Sequence, residues 1–213
     1  MARNKHPEAT VERILDVAQR LFLEKGYDRT TIQDIVDGLD GLTKGAVYHH
    51  FKSKEEIMSA VGDRMFFENN PFEAVRARGD LNGLEKLREA VRLNQADEAR
   101  SRMTVQAVPI TQNPRVLVEM IESNRRVLTP YFLQLIEEGN RDGSIHTDYP
   151  REIAELLPLL TSLWLLPSVF PATPEELAHK FRFIGEMLEK MGLPLFDDSI
   201  RALVDDFLAQ MAL

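Results

Sequence analysis

Apolar positions recur at helical spacing along nearly the whole chain. Val11, Ile14, Leu15, Ala18, Leu21 and Phe22 fall at i, i+3, i+4, i+7, i+10 and i+11, which draws one apolar stripe along a first helix. Gly26 ends it in the manner of a C-cap glycine. Thr30-x-x-Gln33 has the capping-box pattern and predicts a second, short helix that turns Ile32, Ile35, Val36 and Leu39 inward. Asp40-Gly41 supplies a turn, and Thr43 caps a third helix from Lys44 to about Phe51. Ser53-x-x-Glu56 is a further capping box and starts a fourth helix through about Met65, which stops before Pro71.

Beyond that point the spacing predicts helices over about 81–107, 114–139, 150–169, 174–191 and 197–211. Asn113-Pro114 and Thr173-Pro174-x-Glu176 are start signals with proline at the first helical position. Pro130 and Pro158 lie inside apolar helical patterns and are expected to kink them. There is no sustained β alternation, no internal repeat and no low-complexity tract. The fold class is all-α. A three-helix N-terminal unit over about 1–52 is joined by a linking helix, 53–68, to a larger helical body, 69–213.

Composition narrows the function classes. The 213 residues suffice for one large or two small domains. Zero cysteine excludes a disulfide framework, a thiolate metal site and a cysteine nucleophile. The start, MARNKHPEATVER, has no apolar signal region. The uncharged stretch Leu156 to Pro174 carries four prolines, and its dense apolar part ends at Phe170, short of the ~20 residues of a span. A soluble, cytoplasmic protein without a membrane partner is expected.

The net charge of −8 argues at first against a nucleic-acid partner. Its distribution changes that picture. Residues 1–64 carry −1 and the remainder −7, while Gly41 to Lys54 holds three lysines, two histidines and no acid. Two short helices around a glycine-containing turn, the second one basic, predict a helix-turn-helix. A helix of this kind enters the ~12 Å wide major groove, and its first residues meet base edges. Lys44, Gly45 and Ala46 form the first turn of that helix, where small side chains allow a close approach. Tyr48, His49 and Lys52 follow within two turns.

The stretch TTIQDIVDGLDGLTKGAVYHHFKSKEEI, with RILDVAQRLFLEKGYDRTT ahead of it, resembles the DNA-binding region of the tetracycline-repressor (TetR) family of bacterial transcription regulators. The resemblance covers about residues 9–62. One residue more than the family pattern separates Ile35 from Gly41, which lengthens the turn around Asp40. The resemblance implies that Thr31 and Tyr48 bind phosphate and that Thr43, Lys44, Gly45, Ala46 and His49 form the reading face. It also implies that Lys54 lies beside the DNA backbone. Arg3 and Lys5 are candidates for a basic arm along a groove.

Other constellations carry less. His49 and His50 are neighbours on a helix, point about 100° apart and cannot chelate one metal together. Glu176-x-x-His179 has the spacing of a carboxylate-bridged di-iron motif, but such a site needs two copies, and no metal or cofactor is expected. No phosphate loop, nucleophile elbow or zincin motif occurs, so no catalytic residue is expected and the chain is not read as an enzyme. Met103, Gln106, Phe132 and Trp164 are the candidates for an effector pocket in the body, since the family resemblance implies a small-molecule effector bound there.

The sequence therefore reads as a homodimeric repressor that releases a pseudo-palindromic operator when a small molecule binds. Its reading heads would meet half-sites ~34–36 Å apart. The dimer contact is expected in 150–169 and 174–191. The competing reading is a helical ligand-binding or scaffolding protein whose N-terminal domain no longer binds DNA. The acidic balance and the lengthened turn favour it.

Overall fold

A computed structural model describes residues 7–107, 110–111, 113–166 and 168–211. Arg3 and Lys5 lie outside this range. Among the described residues the chain is predominantly helical, with no strand, and it divides into two compact units. The first comprises 1–69 and 98–110, the second 70–97 and 111–213.

The first unit holds α1 (Pro7–Lys25), α2 (Ile32–Asp37), α3 (Lys44–His50), α4 (Lys54–Glu68) and α7 (Glu98–Ala107). Its core is the predicted stripe of α1 closed by the other helices. Ile14, Ala18, Phe22, Ile35, Val47, Ile57 and Val61 are all fully buried. Gly26 ends α1 with φ +88, the left-handed conformation that glycine adopts freely. Two start signals shift register. The N-cap of α2 is Thr31 with Asp34 completing the capping box, whereas Thr30 is buried and its hydroxyl donates to Gly26 O at 2.8 Å. Ser53 caps α4, but the Glu56 carboxylate reaches one residue further back, to the Lys52 N–H at 2.6 Å.

The second unit holds α5 (Pro71–Arg76), α6 (Gly83–Ala96), α8 (Pro114–Ser123), α9 (Thr129–Asp142), α10 (Pro150–Leu159), α11 (Pro174–Lys190) and α12 (Asp198–Met211). Its core gathers Leu87, Leu135, Ile136, Ile145, Ile153, Leu157, Ile184, Leu188 and Leu193. Gly83 packs so closely on Gly139 that α6 and α9 meet backbone to backbone. A buried ion pair, Lys86 Nζ to Glu138 Oε1 at 2.6 Å, ties the same two helices.

A π-helical turn lies beside each of the two prolines expected to kink their helices. One, Asn124–Leu128, lies just before Pro130, and the other, Leu160–Trp164, just after Pro158. Proline has no N–H to give the preceding turn, and π-helical widenings recur where an α-helical ladder is interrupted. The two turns are joined by Asn124 Nδ2 donating to Ser162 Oγ at 2.7 Å.

The predicted helix 81–107 is broken at Asp97, and its second half, α7, leaves the body for the first unit. The physical reason is Met103, which is 4 % exposed in the core formed by α1 and α4. The short helix α5, which the sequence reading passes over, starts at Pro71 with Asn70 as its cap. No described helix is long and apolar enough to cross a membrane.

Candidate nucleic-acid interface

The geometry of the basic segment follows from which side of α3 is buried. Val47 and Phe51, four residues apart, point into the core. That leaves Thr43, Lys44, Gly45, Tyr48 and His49 exposed and Ala46 half-buried. Tyr48 is 44 % exposed, unusual for a residue with so large a ring. Thr43 caps the helix as its spacing predicts, its Oγ1 accepting the Ala46 N–H at 3.3 Å. A Cβ on Gly45 would meet nothing closer than Thr43 Oγ1 at 3.8 Å. No neighbour within the protein therefore requires glycine there, although glycine costs a helix about 1 kcal/mol relative to alanine.

The lengthened turn is closed by its own residues. Gly38 closes α2, Leu39 is buried, and Gly41 reverses the chain with φ +76. Gly38 lies against α1, where a Cβ would sit 2.6 Å from Val17 Cγ1. Arg13 of α1 donates from Nη2 to Asp40 O at 2.9 Å and pins the top of the turn. The lengthened turn thus has its own anchor, a long-range bond with no local sequence signal.

The acidic group at the start of α2, Asp34, is occupied. The Asp34 carboxylate accepts from the Thr31 hydroxyl and N–H, both at 2.7 Å, and pairs with Lys25 at 2.9 Å. Those hydrogen bonds, then Lys25, hold it well below the usual carboxylate range. Thr31 is exposed at the start of α2, with its hydroxyl engaged in this cap.

Lys54 sits differently from what the resemblance implies. Its ammonium donates to Tyr27 O at 2.8 Å and Thr30 O at 2.9 Å and lies 3.9 Å from the centre of the Tyr27 ring. Burial pushes its pKa down, against the opposing pull of Asp28 and Glu55. It is a clamp on the turn between α1 and α2.

The four effector candidates are divided between the units. Met103 is buried in the first, and Gln106 of α7 accepts the Tyr27 N–H at 3.0 Å. Phe132 and Trp164 lie in the second. Phe132 packs edge-on against Phe72 and Trp164 against Phe183, with Lys180 donating to the Trp164 carbonyl. Sequence reasoning assigned all four to one body because helix periodicity says nothing of where a helix docks. Glu175, Glu176, His179 and Lys180 border an open cleft of about 500 Å³ with Pro171 and Ala172. Among the described residues no three His, Cys, Asp or Glu side chains converge on a metal position.

A family model for bacterial regulatory proteins of the tetR family matches residues 14–61, from within α1 to the middle of α4. The chain is 30% identical over 148 residues to the HTH-type transcriptional repressor KstR2 of Rhodococcus jostii, covering 66% of this chain and 70% of that one. It is 40% identical over 67 residues to the HTH-type transcriptional regulator TtgR of Pseudomonas putida, covering 30% of this chain and 31% of that one. Among solved structures, a TetR-family transcriptional regulator from Pectobacterium atrosepticum superposes with a TM-score of 0.61 at 22% identity over 90% of this chain and 98% of that one. A transcriptional regulator from Cytophaga hutchinsonii gives 0.58 at 19% identity, over 96% and 95%. These two likenesses show a shared fold.

Proposed function

The chain belongs to the tetR family of bacterial regulatory proteins, and on that premise we propose that it represses transcription by holding operator DNA on the exposed face of α3. Regulators of this family bind operator DNA and act as dimers. The observation that carries the assignment is the acid-free face of Thr43, Lys44, Gly45, Tyr48 and His49, presented outward because Val47 and Phe51 are buried. Lys44 and His49 supply donors for base edges or phosphate, and Tyr48 supplies a hydroxyl on a rigid ring for the backbone. Ala46 and the bare backbone at Gly45 let the helix approach closely. Thr31 meets phosphate from the start of α2 only by giving up one of its two bonds to the Asp34 carboxylate.

Two such heads, one per protomer, engage successive major grooves of a pseudo-palindrome. The dimer forms through α10 and α11, where Leu159 and Phe183 are exposed apolar groups. A small-molecule effector binds the second unit near Phe132 and Trp164 and favours a conformation with weaker DNA affinity. Trp164 is the single tryptophan in the chain, so its emission reports on that neighbourhood alone.

The test is selection of duplexes from a random-sequence pool by the native protein, followed by salt titration of the enriched sequence. An inverted repeat is expected, with affinity falling steeply as salt rises. Tyr48→Ala and Lys44→Ala each weaken binding without unfolding, since both side chains are exposed. A pool that enriches no duplex overturns the assignment in favour of a helical ligand-binding or scaffolding protein.

A further inference from the structure

The helix α7 belongs to the first unit, yet the chain enters it from the second at 97/98 and returns to the second at 110/111. It is fastened along its length. Arg100 Nη2 donates to Met65 O at 2.9 Å and Asn69 O at 2.7 Å, the closing carbonyls of α4, and its guanidinium lies 5.6 Å from the centre of the Phe66 ring. Met103 is buried one turn on. At the far end, Gln106 Oε1 accepts the Tyr27 N–H at 3.0 Å.

That last bond is placed to matter. The left-handed Gly26 turns the chain out of α1, so the Tyr27 N–H has no helical carbonyl and takes its acceptor from α7. The Tyr27 carbonyl, on the other side of the residue, is held by Lys54 and by the Thr30 N–H at 3.1 Å. Four residues after Tyr27 comes Thr31, the cap of α2, and α2 packs on α3. Tyr27 is therefore the post from which the segment leading to the DNA face is hung. Its two backbone groups are gripped by α7 and α4. A cavity of about 290 Å³, lined by Lys25, Arg29, Val105 and Gln106 among others, opens beside the Gln106 contact and gives water room to replace the side chain.

We propose that Gln106 is a positioning residue for DNA binding, a latch by which the placement of α7 sets the turn that carries Thr31 and α2. The proposal rests on the DNA-binding assignment above. Both ends of α7 continue into the second unit, at 97/98 and 110/111. Loosening the bond between Gln106 and Tyr27 frees the 27–31 segment and lowers DNA affinity without altering any group that touches DNA.

The experiment compares the native protein with Gln106→Leu, which keeps the volume and loses the acceptor, and Gln106→Glu, which keeps the acceptor. The probe is the duplex selected by the native protein from the random pool. Gln106→Leu is expected to weaken binding about fivefold to tenfold with an unchanged salt slope, and Gln106→Glu to stay within about twofold of native, as befits one hydrogen bond. Amide exchange at Tyr27 is expected to accelerate in the Leu variant and to stay slow in the Glu variant. Native affinity in a Leu variant whose Tyr27 amide is unprotected overturns the latch, as does a Glu variant as weak as the Leu variant. Should Gln106→Leu not fold, Gln106→Ser, too short to reach Tyr27, takes its place under the same criteria. Failure of the native protein to select any duplex refutes the DNA-binding assignment instead.

Discussion

Replacing Lys54 with methionine separates two roles that the sequence does not distinguish. A lysine at the start of α4 that touches phosphate contributes a released counterion, so removing it lowers the salt slope of DNA binding by about 0.9. A lysine whose ammonium is turned inward to protein carbonyls contributes little to that slope. Here the ammonium serves the Tyr27 and Thr30 carbonyls and the Tyr27 ring. Hydrogen bonds from a charged donor are each worth about 1.5–3 kcal/mol when buried. Lys54 is only partly buried, so water replaces a share of the lost bonds, and a net loss of about 2 kcal/mol is expected. For a chain of this size that corresponds to a fall in melting temperature of about 4–8 °C. The assay pairs thermal unfolding with operator binding across a salt series, and Lys44→Ala serves as the comparison, since Lys44 is exposed. The expected Lys54→Met result is lower stability and weaker binding on a parallel salt line. A slope reduced by about one phosphate contact at an unchanged melting temperature would refute the clamp.

Other consequences follow from single features. Phe183→Glu places a charge on a large apolar side chain that is 55 % exposed among the charged residues of α11, and if α11 forms the proposed dimer contact, light scattering should report monomer for the variant and dimer for the native protein. Gly83→Ala forces a Cβ into the Gly139 backbone and to 2.8 Å from Leu135 O, so a loss of about 1–3 kcal/mol or more is expected in denaturant titration. Asp34 is held below the usual carboxylate range by Thr31 and Lys25, so its stabilising contribution is complete above the ordinary carboxylate pKa of about 4 and is lost as pH falls through the lowered value. Acid titration of the native protein should show this loss, and Asp34→Ala should flatten that part of the curve.

The stripe Val11 to Phe22 fixed α1 and its buried face, because a 3.6-residue period states which side of a helix faces apolar neighbours whatever those neighbours are. Val47 and Phe51 are buried while Lys44, Tyr48 and His49 are exposed, so the residues that the resemblance placed on the α3 reading face lie at the surface, apart from the half-buried Ala46. Cap chemistry was readable to within one residue. It erred where two candidates are adjacent: Thr30 and Thr31 differ only in that Thr30 is buried beneath Gly26, which no local rule reveals.

What the tertiary structure alone decided has a common character. The docking of α7 on α1 and α4, the grip of Arg13 on the lengthened turn and the diversion of Lys54 to backbone carbonyls all join positions far apart in sequence. Gln106 and Tyr27 lie 79 residues apart. Such contacts depend on where a helix lands after the chain has collapsed, and many landing places bury a Met103 equally well. The sequence by itself determined the helical class, the apolar face of α1 and the residue types of the exposed α3 surface, because these rest on local period and residue type, whereas α5 and the break at Asp97 escaped it. Which unit owns α7, and which carbonyls the Lys54 ammonium meets, was settled only by packing, since both turn on the neighbours a side chain finds in three dimensions.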